Sequence, residues 1–169
     1  MTPAELLTDA LERVRESLHD VLDGLGPDDL THRPAPDANP IGWLLWHLTR
    51  IQDDHVADVA GTEQVWTGDG FADRFDLPYA EAEHGWGHSS EQVDQFHGEP
   101  GLLAEYYDAV HSRTLGYLAG LGPDDLDRVV DERWDPPVTL GVRLISVVND
   151  DTQHVGQAAY VKGLIGSGD

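Results

Sequence analysis

Asp150 and His154 stand four residues apart, and in a helix that spacing puts both side chains on one face, about 6 Å apart along the axis. Val147, Ala158 and Val161 fall in the same series, so a carboxylate and an imidazole occupy a stripe of apolar residues. A carboxylate facing a core costs several kcal/mol unless it is paired or binds a cation. Asp150 therefore needs a partner. His47 is the matching group, because it lies with Leu44, Leu48 and Ile51 on the apolar face of another segment with helical periodicity. Two imidazoles and one carboxylate from facing helices form a three-ligand set suited to a divalent metal, with at least one coordination position open for reaction. The plainer alternative is an Asp-His hydrogen bond between helices.

The elements that must position these groups are legible as periodic runs. Residues 2–25 carry Leu6, Leu7, Ala10, Leu11, Val14, Leu18, Val21 and Leu22 at steps of three and four, opened by Thr2 as N-cap, Pro3, and Glu5 placed to close a capping box. A second helix is expected from Asn39-Pro40 to about Gly61, a third after Pro100-Gly101 as far as Gly122-Pro123, and a fourth from Thr139 onward. The connection from Thr62 to Gly101 is too long for adjacent antiparallel helices and suits a crossover joining parallel ones, with Ser89-Ser90-Glu91 capping a short helix inside it. The fold class is therefore all-α: a four-helix bundle with a long crossover between helices two and three, one domain over residues 1–169. The run Gly24-Leu25-Gly26-Pro27-Asp28-Asp29-Leu30 recurs letter for letter as Gly120-Leu121-Gly122-Pro123-Asp124-Asp125-Leu126. This marks either two similar helix stops or two helix-turn-helix halves related by a pseudo-two-fold axis.

Other residues bear on the same site. Gln157 follows His154 by one turn and is placed to orient a metal ligand or to bind the substrate. Trp66, Phe71 and Trp86 are candidates for the wall of a substrate cavity, the alternative being a satellite core beneath the crossover. His55 lies roughly 12 Å beyond His47 along the helix and is rotated away from it, too far to share an ion. His84-Gly85-Trp86-Gly87-His88 reads as a lid or metal loop, or as a Gly-rich turn anchored by Trp86. The acidic runs Asp28-Asp29, Asp53-Asp54, Asp124-Asp125 and Asp150-Asp151 read as solvated faces, Asp150 excepted.

Composition narrows the classes. Ten basic against 32 acidic residues give a net charge of −22, which argues against a nucleic-acid partner. The absence of cysteine excludes disulfides, Cys-type zinc sites and a protein thiolate nucleophile. No apolar run approaches the roughly 18 to 20 residues needed to span a bilayer, and no leader pattern opens the chain, so a soluble cytoplasmic protein without membrane partners is expected. A nucleophile elbow, a phosphate-cradling glycine loop and the Glu-x-x-His pairs of diiron bundles are likewise missing.

The stretches Asn39-Pro40-Ile41-Gly42-Trp43-Leu44-Leu45-Trp46-His47-Leu48-Thr49 and Asp150-Asp151-Thr152-Gln153-His154-Val155-Gly156-Gln157 resemble the two signature helices of the DinB-like superfamily. More narrowly, they are similar to the branch that includes mycothiol-dependent transferases. The resemblance covers nearly the whole chain and implies a four-helix bundle holding a divalent metal at His47, Asp150 and His154. Many relatives carry histidine where this chain has Asp150; the carboxylate hardens the site, leaving zinc first and nickel, iron or manganese as alternatives. The resemblance further implies a low-molecular-weight thiol cosubstrate of the mycothiol type, a small electrophile and, in many relatives, a homodimer. A metal held by three protein ligands can lower the pKa of such a thiol and ready it for attack. A non-enzymatic metal-binding bundle serving a protein partner, and a metal-dependent hydrolase, are the rival expectations.

Overall fold

A computed structural model describes residues 1–166. Four long helices dominate it: α1 (Pro3–Leu22), α3 (Ile41–Ala60), α7 (Pro100–Ala119) and α8 (Leu140–Ile165). Short helices fill the links: α2 (Pro27–Thr31) between the first two, and α4 (Val65–Gly68), α5 (Phe71–Phe75) and α6 (Ser90–Asp94) in the crossover. A 3₁₀ turn (Pro123–Asp127) and a small antiparallel pair, β1 (Val129–Asp131) with β2 (Val138–Thr139), join α7 to α8. The expected all-α bundle with its long crossover is the observed architecture; the two short strands and the short helices α4 and α5 are additions to that expectation.

Local chemistry accounts for the helix starts. The Thr2 hydroxyl accepts from the Glu5 amide while the Glu5 carboxylate accepts from the Thr2 amide, closing the capping box around Pro3. Ser89 and Gln92 do the same for α6, and Thr139 caps α8. Both copies of the repeated heptapeptide use one device, in which the carboxylate of Asp29 or Asp125 accepts from the amide of Gly26 or Gly122, at 2.8 and 2.7 Å. The likeness extends into the next long helix. Gly42 at the start of α3 has no room for a Cβ because the backbone of Leu30 and the ring of Phe96 press on it, and Gly141 at the start of α8 faces Leu126 at 3.3 Å in the same way.

Directions follow from which side chains meet. His47 meets His154 and His55 meets Arg143, so α3 and α8 are antiparallel. Arg15 and His19 meet Asp108 while Glu12 meets His111, so α1 and α7 are antiparallel. Asp53 meets Tyr106 and Val59 meets Tyr117, making α3 and α7 parallel, as a crossover requires. Lys162 bonds the carbonyls of Asp20 and Asp23, making α1 and α8 parallel. An approximate two-fold axis through the α3–α8 and α1–α7 seams generates this set of directions, and the repeated helix stops are its sequence trace.

The core runs along the bundle through Leu11, Val14, Leu18, Leu44, Leu45, Leu48, Leu103, Tyr107, Val110, Leu118, Leu144 and Val155, all buried. The crossover rings Trp66, Phe71 and Phe75 close it on one side, packed with Trp46 of α3 and Tyr106 of α7. Among the described residues, no helix is long and apolar enough to cross a membrane.

Candidate metal centre

The α3–α8 seam carries the chemistry. His47 leaves α3 buried, with its ring stacked on Trp43 at 4.8 Å between centroids. Across the seam Asp150 and His154, one turn apart on α8, turn toward it; the His47 and His154 rings meet edge to face at 4.9 Å. One donor atom from each of the three residues lies within 4.8 Å of the other two, a spacing that a single cation can span. The side chains of His154 and Asp150 keep 20% and 27% of their exposure, so the site opens to solvent on the α8 side.

The outward nitrogens of both imidazoles are tied down. His47 Nδ1–H donates to the carbonyl of His84, and His154 Nδ1–H donates to Gln157 Oε1 at 2.8 Å. Each bond assigns the tautomer and leaves Nε2 with a free lone pair, the arrangement that orients metal-binding histidines. His154 Nε2 stands 3.5 Å from Asp150 Oδ1, and Asp150 Oδ2 is buried with no hydrogen-bond partner among the described residues. An orphaned carboxylate oxygen beside two imidazole lone pairs is the donor set of a divalent cation site.

Protonation favours ligation at His47. Burial is the main influence on its imidazole and pushes its pKa down to about 4, with the His84 carbonyl acting the other way, so it is neutral near neutral pH. At His154 burial also disfavours the charge, but the bonds to Asp150 and Gln157 outweigh it and raise the pKa. A proton would therefore compete with a metal ion for His154 more than for His47.

The remaining candidates are placed as follows. Gln157 holds His154. Trp66 is buried among Trp46, Phe75 and Tyr106, with the Arg50 guanidinium over its ring, and so belongs to the aromatic core beneath the crossover. Trp86 is 81% exposed, in a turn whose flanking glycines, Gly85 and Gly87, both have positive φ. That turn leans on the site: a Cβ at Gly85 would fall 2.8 Å from His47 Nδ1. A recess of about 260 Å³ lies beside it, lined by Glu83, His84, Trp86, His88 and Gln92. His88 is held by Glu83 and by the Trp43 indole N–H, and His55 meets Arg143 instead of the triad.

Two acidic residues differ from the solvated faces expected of them. Asp53 is buried and accepts from the amides of Val65 and Trp66 and from the Tyr106 hydroxyl, tying the crossover to α3. Asp151 is wholly buried with both carboxylate oxygens unpartnered; burial, reinforced by Asp150, raises its pKa well above the carboxylate range. The centre of the α8 stripe runs through Val147, Asp151, Val155 and Ala158, which places Asp150 and His154 at its α3 edge. The Asp-Asp dipeptide alone does not say which member lies at the centre.

A family model described as the DinB superfamily matches residues 10–158. Among solved structures the chain is similar to a conserved protein of Enterococcus faecalis, with 29% sequence identity, a TM-score of 0.90 and 96% of each chain covered. No curated protein matches the chain.

Proposed function

Since the chain belongs to the DinB superfamily and brings three metal-type donors together on one seam, we propose that it is a metal-dependent transferase acting with a low-molecular-weight thiol of the mycothiol type on a small electrophile. His47, Asp150 and His154 would hold the ion, zinc before nickel, iron or manganese, and the ion when bound would lower the pKa of the cosubstrate thiol. The observation that carries the reading is the convergence of the three donors within 4.8 Å with Asp150 Oδ2 left without a partner.

The protein's own groups have defined tasks. His47 stays neutral through its buried position and keeps Nε2 free by donating from Nδ1 to His84. Gln157 does the same for His154. With no cysteine in the chain, the sulfur nucleophile must arrive with the cosubstrate. The recess beside His84 and Trp86, with polar groups from Glu83, His88 and Gln92, suits the hydroxyl- and amide-bearing part of such a thiol. The exposed edge at Asp150 and His154 leaves the electrophile a way in. This reading assigns the reaction to the cytoplasm, where such thiols are kept reduced, and needs no nucleic acid or membrane.

The test is thiol-dependent consumption of an electrophile such as a halonitroarene by zinc-loaded protein, with mycothiol, bacillithiol and glutathione in parallel. Turnover that needs both thiol and metal, and that disappears in His154→Ala, is expected. Product formation without added thiol would replace the transferase by a hydrolase. Inertness toward every thiol, with chelation only lowering the melting temperature, would leave a structural metal site.

A further inference from the structure

The carbonyl that holds His47 belongs to a stretch of crossover with no regular secondary structure, and α3 donates to three backbone carbonyls of that stretch. Arg50 Nη2 donates to the Glu81 carbonyl at 3.2 Å, Arg50 Nε donates to the Glu83 carbonyl at 3.3 Å, and His47 Nδ1 donates to the His84 carbonyl. Arg50 follows His47 by one turn and is wholly buried. Its Nη1 donates to Gln64 Oε1 at 2.7 Å, and Asp53 Oδ2 lies 3.8 Å away. Burying a permanent cation is costly, and an apolar side chain of similar volume often fills such a space at no loss of stability. A planar fork of donors, by contrast, is what holds two peptide carbonyls in a fixed relation to each other.

We infer that Arg50 is a positioning residue for the metal centre: by clamping the Glu81 and Glu83 carbonyls it sets the His84 carbonyl to take the Nδ1 proton of His47, which leaves Nε2 facing Asp150 and His154. Gly85 completes the fit, since its φ of 93° and the absence of a Cβ let the chain lie flat against the rings of His47 and Trp43. The inference rests on the proposed function only in taking His47 as a ligand.

Arg50→Lys keeps the charge and removes the fork. In metal-free protein, nitrogen-15 imidazole spectra of the wild type are expected to show His47 as one tautomer with the proton on Nδ1, and the variant a mixture of both. Zinc affinity, read by chelator competition, is expected to fall about 10- to 100-fold with the helical circular dichroism retained. A single Nδ1-protonated tautomer and an affinity within about twofold of wild type in Arg50→Lys would overturn the assignment. If Arg50→Lys does not fold, Gln64→Ala removes an acceptor of the guanidinium together with the bond from Gln64 Nε2 to Asp54 Oδ1, neither of which touches His47; a smaller shift of the same kind is expected, and an unchanged tautomer overturns the assignment. Should the wild type bind no zinc, the proposed function falls, while the tautomer comparison still decides the role of Arg50.

Discussion

The α3–α8 seam has two polar stations, and they differ in where their positive charge comes from. At one, His47 and His154 face Asp150, with no cationic side chain in the group. At the other, His55 meets Arg143, whose Nη1 stands 3.1 Å from His55 Nδ1 and whose Nη2 donates to Asp131 Oδ2 at 3.1 Å. The approximate two-fold relates the two: His55 stands as far beyond Gly42 in α3 as His154 stands beyond Gly141 in α8. Equivalent histidines thus share a nearby carboxylate and differ in whether a guanidinium stands beside it. Arg143 fills the His55 station permanently, with Asp54 Oδ2 3.7 Å from His55 Nδ1, and burial together with Arg143 lowers the His55 pKa against the opposing pull of Asp54. His154 faces a carboxylate with an orphaned oxygen, a station whose donors could hold a cation. Histidine at a helix seam does not make a metal site; the charge facing it decides.

The sharpest break of this comparison comes from metal binding. His47→Ala, Asp150→Ala and His154→Ala are each expected to weaken zinc binding by more than about 100-fold, beyond the usual cost of losing a residue that merely supports a ligand. His55→Ala is expected to leave one ion per chain and an affinity within about threefold of wild type. Competition titrations with a zinc chelator read both, and equal losses at His55 and His154 would erase the distinction between the stations.

A second contrast lies one residue from the site. Asp151 and Gln52 are equivalent under the same two-fold, and both are wholly buried with unpartnered oxygen atoms, but only Asp151 can ionise. Its folded-state pKa is raised by burial, so the fold retains the Asp151 proton after the unfolded chain has released it. The corresponding stability is present in full below the ordinary carboxylate pKa. It is lost as pH rises toward the folded value, at about 1.4 kcal/mol per pH unit. Asp151→Asn removes that slope. Denaturation of metal-free protein should show the variant gaining on wild type as pH rises from about 5 to 8 and matching it near pH 4. A constant difference across that range would mean that Asp151 keeps an ordinary pKa.

How much of this the residue pattern revealed depended on length of signal. The four long helices declare themselves through runs of about twenty residues with caps and stops, and the metal donors through spacing on those runs. The strands Val129–Asp131 and Val138–Thr139 are too short to show an alternation. Asp150 and Asp151 are adjacent on α8, and which one meets the bundle centre depends on the rotation of α8 against three neighbours. The hold on His47 was hidden for another reason. It comes from peptide carbonyls of the crossover, which every residue possesses, so the spacing of Arg50 from His47 carries no mark of it. Trp66 and Trp86 were equal candidates for a cavity wall by type, yet one is packed among aromatic rings and the other faces solvent beside the recess.

The smallest expected effect tests how the working station is held. Gln157 accepts from His154 Nδ1, whereas the equivalent position in α3 is Asp58, which is exposed, and no bond joins it to His55 among those described. Gln157→Ala should free the His154 ring to rotate and to exchange tautomers, lowering zinc affinity about tenfold while leaving one ion per chain and the melting temperature of the metal-free protein nearly unchanged. Gln157→Glu replaces the amide by a carboxylate that accepts the same hydrogen bond and adds negative charge near the ion. It should restore or exceed wild-type affinity at low ionic strength and lose that excess as salt is added. If Gln157→Ala binds zinc as tightly as wild type, Asp150 alone orients His154, and the contrast between the stations reduces to a guanidinium present in one and absent from the other.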